Sequence, residues 1–390
     1  MTDLADAQAD AQADALDLQP EAPSRKLRRF FWLILGAFSV FFAEVTVGSS
    51  MFPFFEPFSV LVTCPLYALH ILVLAAIVLR HPRPLFASLF FAGALFGLYE
   101  AYITKVLWSP PWNDKPVMIG GVAIIETMML VLFYHALMAF VVPLVAAERL
   151  LTSSGQVTAA LKPRLARWID QRWFTVVFAA TCGIVQTANS PSILHTIGST
   201  ISTSGFVLVL VLLWKRATRG RLYLLSELLP RGWELGMLVF LLATQYIGLG
   251  ILLRPEKLPG IVPQATIWGC YGVFILLLLL SLKRQAAQVD DVAPECRTPL
   301  PWKRCLLFAV VFSATSTAFQ PLAVFLKIPI FVVLWVGGII VGWVLLVVSA
   351  LRIFRPQRPP SATAALSTEH FPKKPASSSH LTNRVTSPAM

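Results

Sequence analysis

Long apolar runs alternate with short polar segments from Phe30 to Leu351. A helix needs about 20 largely apolar residues to cross a bilayer, and ten runs of this chain come close to that length. The pattern therefore predicts an all-α polytopic bundle of about ten transmembrane helices. The predicted spans are Phe30–Val47, Phe58–Leu79, Leu85–Leu107, Val117–Ala147, Trp173–Thr187, Ile197–Trp214, Leu235–Leu253, Ala265–Leu282, Cys305–Phe325 and Ile330–Leu351.

The two ends of the chain do not follow this pattern. Residues 1–24 carry an acidic Asp-Ala-Gln-Ala repeat, and residues 355–390 are rich in Ser, Thr, Pro and Lys. Neither segment has enough apolar surface to offset the entropy lost on folding. We expect a disordered acidic tail over 1–24, a ten-span transmembrane domain over 25–354 and a second disordered tail over 355–390.

Composition narrows the function classes further. Hydrophobic residues make up 56% of the 390 residues and charged residues only 13%, whereas soluble domains carry about 25% charged residues. This excludes an ordinary soluble enzyme or a nucleic-acid-binding domain. The five cysteines show no metal-ligand spacing, and no phosphate-binding loop of the GxxxxGK[ST] type occurs. We therefore predict no cofactor, no bound metal and no nucleic-acid partner.

Lys and Arg are distributed very unevenly over the predicted loops. With ten spans, 27 of the 32 basic residues fall on one side of the membrane, together with both chain ends. Cytoplasmic loops of membrane proteins carry an excess of Lys and Arg. The distribution therefore predicts a multi-pass cell-membrane protein with both termini in the cytoplasm, and it supports the count of ten.

Polar side chains inside predicted spans are the candidate functional residues, since charge in a bilayer is costly and usually functional. Glu44, Glu100 and Glu126 all fall in the outer half of the membrane by their depth along their spans. His135 lies near mid-depth, and two glutamines repeat the outward bias. The candidate solute- or ion-binding residues are Glu44, Glu100, Glu126, His135, Gln186 and Gln320.

One cation lies close to this set. In a continuous helix Lys105 would point about 140° away from Glu100, so we expect it to reach across the hairpin and pair with Glu126. Glu126 and His135 are nine residues apart and would face opposite ways. If the three carboxylates share one cavity, repulsion and burial favour a proton on at least one of them.

Three resemblances extend this interpretation. Ten spans with both ends inside resembles the drug/metabolite transporters, whose two five-span halves form an inverted repeat. The segment Tyr99–Lys105, with His135 on the next span, faintly resembles the Glu-Glu-x-x-x-Arg and histidine pattern of CAAX-type intramembrane proteases, although only one Glu is present. The segment Phe96–Asp114 also looks like one found in multi-pass prokaryotic proteins without an assigned activity.

Three functions remain open at this point. The leading hypothesis is a secondary transporter or permease, with carboxylates in an outward-facing polar cavity that bind a small solute or a proton. The alternatives are an intramembrane enzyme using Glu100 or Glu126 with His135, and a sensor or assembly subunit. The lipid bilayer is the predicted partner in every case, and the oligomeric state is left open.

Overall fold

Helices account for nearly all regular structure in the computed structural model, which describes residues 22–81, 83–287 and 296–355. Described residues up to Ile353 belong to one unit, and a second unit begins at Phe354. The predicted disorder of both tails falls almost entirely outside the described residues. The first helix starts at a favourable cap, because the Ser24 hydroxyl accepts a hydrogen bond from the Leu27 amide at 3.3 Å.

The α-helices vary widely in length, and three segments have the wider π-helical turn. The α-helices are α1 (Arg25–Val40), α2 (Cys64–Val78), α3 (Phe86–Gly97), α4 (Tyr99–Tyr102), α5 (Ile124–Thr127), α6 (Val142–Leu151), α7 (Gln156–Ala160), α8 (Pro163–Ile169), α9 (Arg172–Thr187), α10 (Ile193–Thr218), α11 (Leu225–Leu228), α12 (Trp233–Leu252), α13 (Ile261–Ala286), α14 (Lys303–Phe319) and α15 (Ala323–Phe354). The π-helical segments are π1 (Phe41–Val45), π2 (Ser59–Thr63) and π3 (Met128–Val141). Short 3₁₀ turns cover Pro255–Lys257 and Gln320–Leu322.

Six helical runs of the described chain are long and apolar enough to cross a membrane by length and composition. They are Ser59–Val78, Ile124–Leu151, Ile193–Thr218, Trp233–Leu252, Ile261–Ala286 and Lys303–Phe354. The last run covers both of the final two predicted spans, which are joined through the 3₁₀ turn. The first, third and fifth predicted spans are helical but do not meet this criterion. The count of ten and the sides of the termini remain predictions.

The fourth predicted span begins later than expected. Residues predicted to be helical from Val117 instead form a small antiparallel hairpin of β1 (Met118–Ile119) and β2 (Val122–Ala123). Its two-residue turn is Gly120-Gly121, with φ of 57° and 74°. Glycine adopts these positive angles without steric cost, and they match a tight hairpin turn. The helix therefore starts only at Ile124.

Segment π3 is the centre of the packing. A Cβ atom at Gly93 would lie 2.7 Å from Cα of Ala136, and one at Gly97 would lie 2.9 Å from Cα of Val131. On another side, α15 approaches the same segment at Gly338 and Gly342, where an added Cβ would collide with Met129, Phe133 and Leu132. Gly93 and Gly97, and likewise Gly338 and Gly342, are Gly-x-x-x-Gly pairs, and both pairs face π3, as small residues do in membrane bundles.

Candidate polar site within the bundle

Four helical segments bring ionisable and hydroxyl side chains together beside π3. Glu44 lies on π1, Tyr67 on α2, Tyr99 and Glu100 on α4, and His135 on π3. Two of these residues therefore lie on π-helical turns. Such turns are uncommon and frequently occur at functional sites.

Three hydrogen bonds and one imidazole–carboxyl contact join the five side chains into one continuous chain, which we call the Glu44–Glu100 network. The Tyr67 hydroxyl donates to Oε1 of Glu44 at 2.5 Å and lies 2.9 Å from the Tyr99 hydroxyl. The Tyr99 hydroxyl lies 3.1 Å from Nε2 of His135. That nitrogen in turn lies 3.3 Å from Oε1 of Glu100.

The tautomer of His135 follows from its other nitrogen. Nδ1 lies 3.0 Å from the Leu130 carbonyl oxygen. A carbonyl can only accept, so Nδ1 carries a hydrogen. Nε2 of the neutral ring is then an acceptor facing Oε1 of Glu100. A proton is needed between these two atoms, either on the carboxyl group or on the imidazole.

Both ends of the network are held by short-chain hydroxyl groups. The Ser49 hydroxyl donates to Oε2 of Glu44 at 2.5 Å, and the Thr104 hydroxyl donates to Oε2 of Glu100. Burial differs along the network: His135 is 1% exposed and Glu100 8%, whereas Glu44 is only half-buried. Glu44 is therefore the end of the network nearest to the protein surface.

A second, shorter chain of polar groups lies against the first. Nδ1 of His70 lies 2.8 Å from the Leu66 carbonyl, and its Nε2 lies 3.1 Å from the Tyr246 hydroxyl. Tyr246 continues to the Tyr271 hydroxyl at 3.2 Å. The His70 ring stacks on Phe96 at 4.6 Å between centroids. Through this second chain of polar groups, His70 connects α2 to α12 and α13.

Glu126 lies outside the Glu44–Glu100 network. Its Oε1 accepts a hydrogen bond from Nδ2 of Asn113 at 2.9 Å, in the loop before β1. Oε2 is buried and has no hydrogen-bond partner among the described residues. Only two of the three carboxylates predicted to share a cavity are therefore brought into one network.

The expected pairing of Lys105 with Glu126 is wrong in this structure. Lys105 is fully buried, and its ammonium group donates to the carbonyls of Gly250 at 2.7 Å and Leu253 at 2.5 Å. Sequence reasoning assumed a helix continuing to Leu107, but α4 ends at Tyr102 and Lys105 has a φ of 61°. This left-handed residue turns the chain, and Lys105 caps the carboxyl end of α12 as cations favourably do.

The two predicted glutamines lie elsewhere. Nε2 of Gln186 donates to Ser199 at 3.1 Å, and its Oε1 accepts from Ser316 at 2.8 Å, so Gln186 joins α9, α10 and α14. Gln320 is half-buried in the 3₁₀ turn between α14 and α15. Neither side chain has a hydrogen bond to the Glu44–Glu100 network.

Sequence reasoning missed the two tyrosines that complete the network. Each of these tyrosines, Tyr67 and Tyr99, places a hydroxyl group inside an apolar run, and Tyr99 directly precedes Glu100 in the sequence. Polar groups of this kind within apolar runs are the signal that could have identified them.

Among the described residues no group of three or more His, Cys, Asp or Glu side chains is arranged to hold a metal ion. The arrangement is suited to holding and moving protons.

Comparisons with known proteins give the family. The chain belongs to a family described as an uncharacterized membrane protein family, which matches residues 33–365. It is similar to an uncharacterized protein of Archaeoglobus fulgidus, with 29% identity over 320 residues that cover 81% of this chain and 96% of the relative. No solved structure matches the chain. The protein is therefore an integral, multi-pass membrane protein.

Proposed function

We propose that this protein is a proton-coupled secondary transporter for a small solute, in which the Glu44–Glu100 network binds and passes the coupling proton. The observation that carries the proposal is the unbroken chain of side chains from Glu44 to Glu100 on four helical segments. Ionisable groups inside a membrane bundle are expensive and commonly form proton relays.

In this proposal a proton moves along the network from each polar group to the next. When a proton binds Glu44, the least buried member, the carboxyl group becomes a donor and the Tyr67 hydroxyl turns its hydrogen from Glu44 toward Tyr99. Tyr67 then accepts the proton from Glu44 as it releases its own to Tyr99. Tyr99 repeats this step toward Nε2 of His135, which is an acceptor in the neutral ring. His135 then faces Glu100 at 3.3 Å. The proton therefore ends on either member of that pair without leaving the hydrogen-bonded chain.

A proton flux assay tests this proposal. Purified protein is reconstituted into liposomes containing a pH-sensitive dye, a pH gradient is imposed, and pools of small solutes are added. We expect solute-dependent proton movement in wild type and its loss in Tyr67→Phe and His135→Asn. Tyr246→Phe removes the hydroxyl that binds His70 in the second chain of polar groups and is the matched control that keeps activity.

Infrared difference spectra test proton binding without knowledge of the solute. We expect a protonated carboxyl band that shifts in His135→Asn, disappears in Glu44→Gln or Glu100→Gln, and persists in Glu126→Gln. Absence of any such band in wild type, or a band removed only in Glu126→Gln, contradicts a proton site in the network. Flux that is unchanged in Tyr67→Phe contradicts its role as a pathway.

An intramembrane enzyme is the second candidate, favoured by the Glu100–His135 contact itself. A carboxyl group and an imidazole within hydrogen-bond reach are the usual parts of general acid–base catalysis. An enzyme would convert its substrate in detergent, where no gradient exists. Mass spectrometry of membrane lipids and peptides incubated with wild type or His135→Asn would reveal such turnover, whereas a transporter would leave them unchanged.

A further inference from the structure

An apolar cavity of about 440 Å³ is lined in part by π1 and π3, the segments that also carry Glu44 and His135, but by none of the five residues of the Glu44–Glu100 network. Its walls come from α1 and π1, from π3 and α6, and from α9, α10, α14 and α15. Phenylalanines supply much of the lining, including Phe42, Phe178 and Phe308. The volume falls within the range of roughly 300–1,000 Å³ that is usual for small-molecule sites.

The cavity is elongated along π3 and α6. Its lining on these segments extends from Leu137 to Leu150, which is roughly 15–20 Å at about 1.5 Å per residue. From Leu137 to Ala146, the residues of π3 and α6 that line the cavity are all aliphatic, and Arg149 follows them. An apolar space of this length suits an alkyl chain, whereas a polar solute would lose its hydration without gaining partners.

Two arginines stand at one end of the cavity. Arg149 is 5% exposed and binds Asp170 through Nε at 2.9 Å and Nη2 at 2.8 Å. Its Nη1 is buried and has no hydrogen-bond partner among the described residues. Arg304 donates to the Thr175 hydroxyl at 3.0 Å and to the Asp170 carbonyl at 2.7 Å.

The excess of positive charge at this end of the cavity favours an anionic ligand. Two guanidinium groups, those of Arg149 and Arg304, line the cavity end. The Asp170 carboxylate binds Arg149 and also lies 3.8 Å from Nη1 of Arg297, so it is shared between two cations, whereas Arg304 reaches Asp170 only at its backbone carbonyl. Leaving a charged N–H donor buried and unpaired is costly. A phosphate oxygen would satisfy Nη1 of Arg149 by a charge-assisted hydrogen bond, which is the contact that arginine makes best.

We propose that this cavity binds an anionic membrane lipid, with one acyl chain between π3, α9 and α14 and the phosphate at Arg149 and Arg304. The site is separate from the proposed proton pathway. Both arginines lie at helix ends that the distribution of basic residues predicts to be inside, so the lipid would come from the inner leaflet.

Native mass spectrometry of the full-length protein tests this site. The probes are palmitoyl lysophosphatidylglycerol and monopalmitoylglycerol, which share the acyl chain and differ in the anionic phosphate. We expect the anionic lipid to bind about tenfold more tightly, since one charge-assisted hydrogen bond is worth about that factor. Arg149→Gln and Arg304→Gln should each reduce this preference, while the uncharged lipid binds as it does to wild type.

A pair of neighbouring substitutions separates the cavity from the outer surface of the bundle. Ala309 lines the cavity and is 9% exposed, whereas Val310 on the same helix is 57% exposed. Ala309→Phe should fill the space and lower binding of the anionic lipid at least tenfold, and Val310→Phe should leave it unchanged. Thermal unfolding of both variants checks that they remain folded.

Three results would overturn the proposal. They are equal binding of the two lipids to wild type, equal binding of the anionic lipid to Ala309→Phe and Val310→Phe, and retention of the charge preference in both arginine variants. A cavity occupied by another segment of this chain would give the first result, because it would exclude both lipids equally.

Discussion

Two apolar helical runs of this protein, Ile124–Leu151 and Trp233–Leu252, look alike in sequence but differ in their surroundings. Both are apolar enough to span a membrane. In an 18-residue apolar stretch of the first run 56% is buried, whereas in such a stretch of the second only 6% is buried. The first contains π3, which neighbouring helices approach at glycines. The second is α12, whose large side chains, such as Phe240 at 69% exposure, point away from the rest of the protein.

The difference shows what places a helix inside a membrane bundle. Lipid tails are as apolar as leucine, so hydropathy does not decide which helix is internal. Close approach and interhelical hydrogen bonds decide it instead. Segment π3 has both, through Gly93 and Gly97 and through the contacts of His135. Helix α12 is tied to the interior at fewer points, among them the capping by Lys105 and the contact of Tyr246 with His70.

The largest effect should come from filling the space at a glycine facing π3. Gly93→Leu should lower the free energy of unfolding by about 3 kcal/mol, because overpacking of a close contact forces the helices apart. Gly248→Leu on α12 is the matched control, since an added Cβ there meets no atom within 4 Å. Unfolding in detergent by titration with sodium dodecyl sulfate measures both. Equal losses for the two variants would contradict the contrast between π3 and α12.

The next effect should come from the cap that holds α12. Lys105→Met should cost about 2 kcal/mol, because three carbonyl contacts to a charged donor are lost. The double variant Lys105→Met with Glu126→Gln should be no more stable than the single variant, since Glu126 binds Asn113 and not Lys105. Lys115→Met, at an exposed loop position, should change stability very little. Rescue by Glu126→Gln would instead support the ion pair between Lys105 and Glu126 that the sequence predicts.

Sequence reasoning predicted the fold class and part of the site, for identifiable physical reasons. The thickness of the bilayer sets how long an apolar helix must be to cross it, so the lengths of the apolar runs predicted a helical, membrane-spanning protein. Depth along a span placed Glu44 and Glu100 at a similar level, and the structure joins them. Depth carries no angular information, however, so it could not show that Glu126 turns toward Asn113.

The errors arose where the backbone departs from a regular α-helix. The apolar residues of π3 suit an α-helix and a π-helix equally, so the wider turn that carries His135 could not be predicted. The Gly120-Gly121 turn replaced the start of one predicted helix by a hairpin. The positive φ of Lys105 ended another, and the side chain then pointed to α12 instead of to the carboxylates.

The smallest effect should come from one hydrogen bond between α1 and π3. The hydroxyl of the fully buried Ser39 donates to the Ala139 carbonyl at 2.6 Å, so it links two helices. Thr244 on α12 donates to the carbonyl of Phe240, four residues back in its own helix, and such a bond adds nothing between helices. Ser39→Ala should therefore lower the free energy of unfolding by about 0.6 kcal/mol, the average for interhelical hydrogen bonds in membranes. Thr244→Ala should leave that free energy unchanged, with the same dodecyl sulfate titration as the measurement. A greater loss in Thr244→Ala than in Ser39→Ala would mean that the exposed face of α12 packs against a partner molecule. The contrast between α12 and π3 would then not reflect how the two segments pack within this protein.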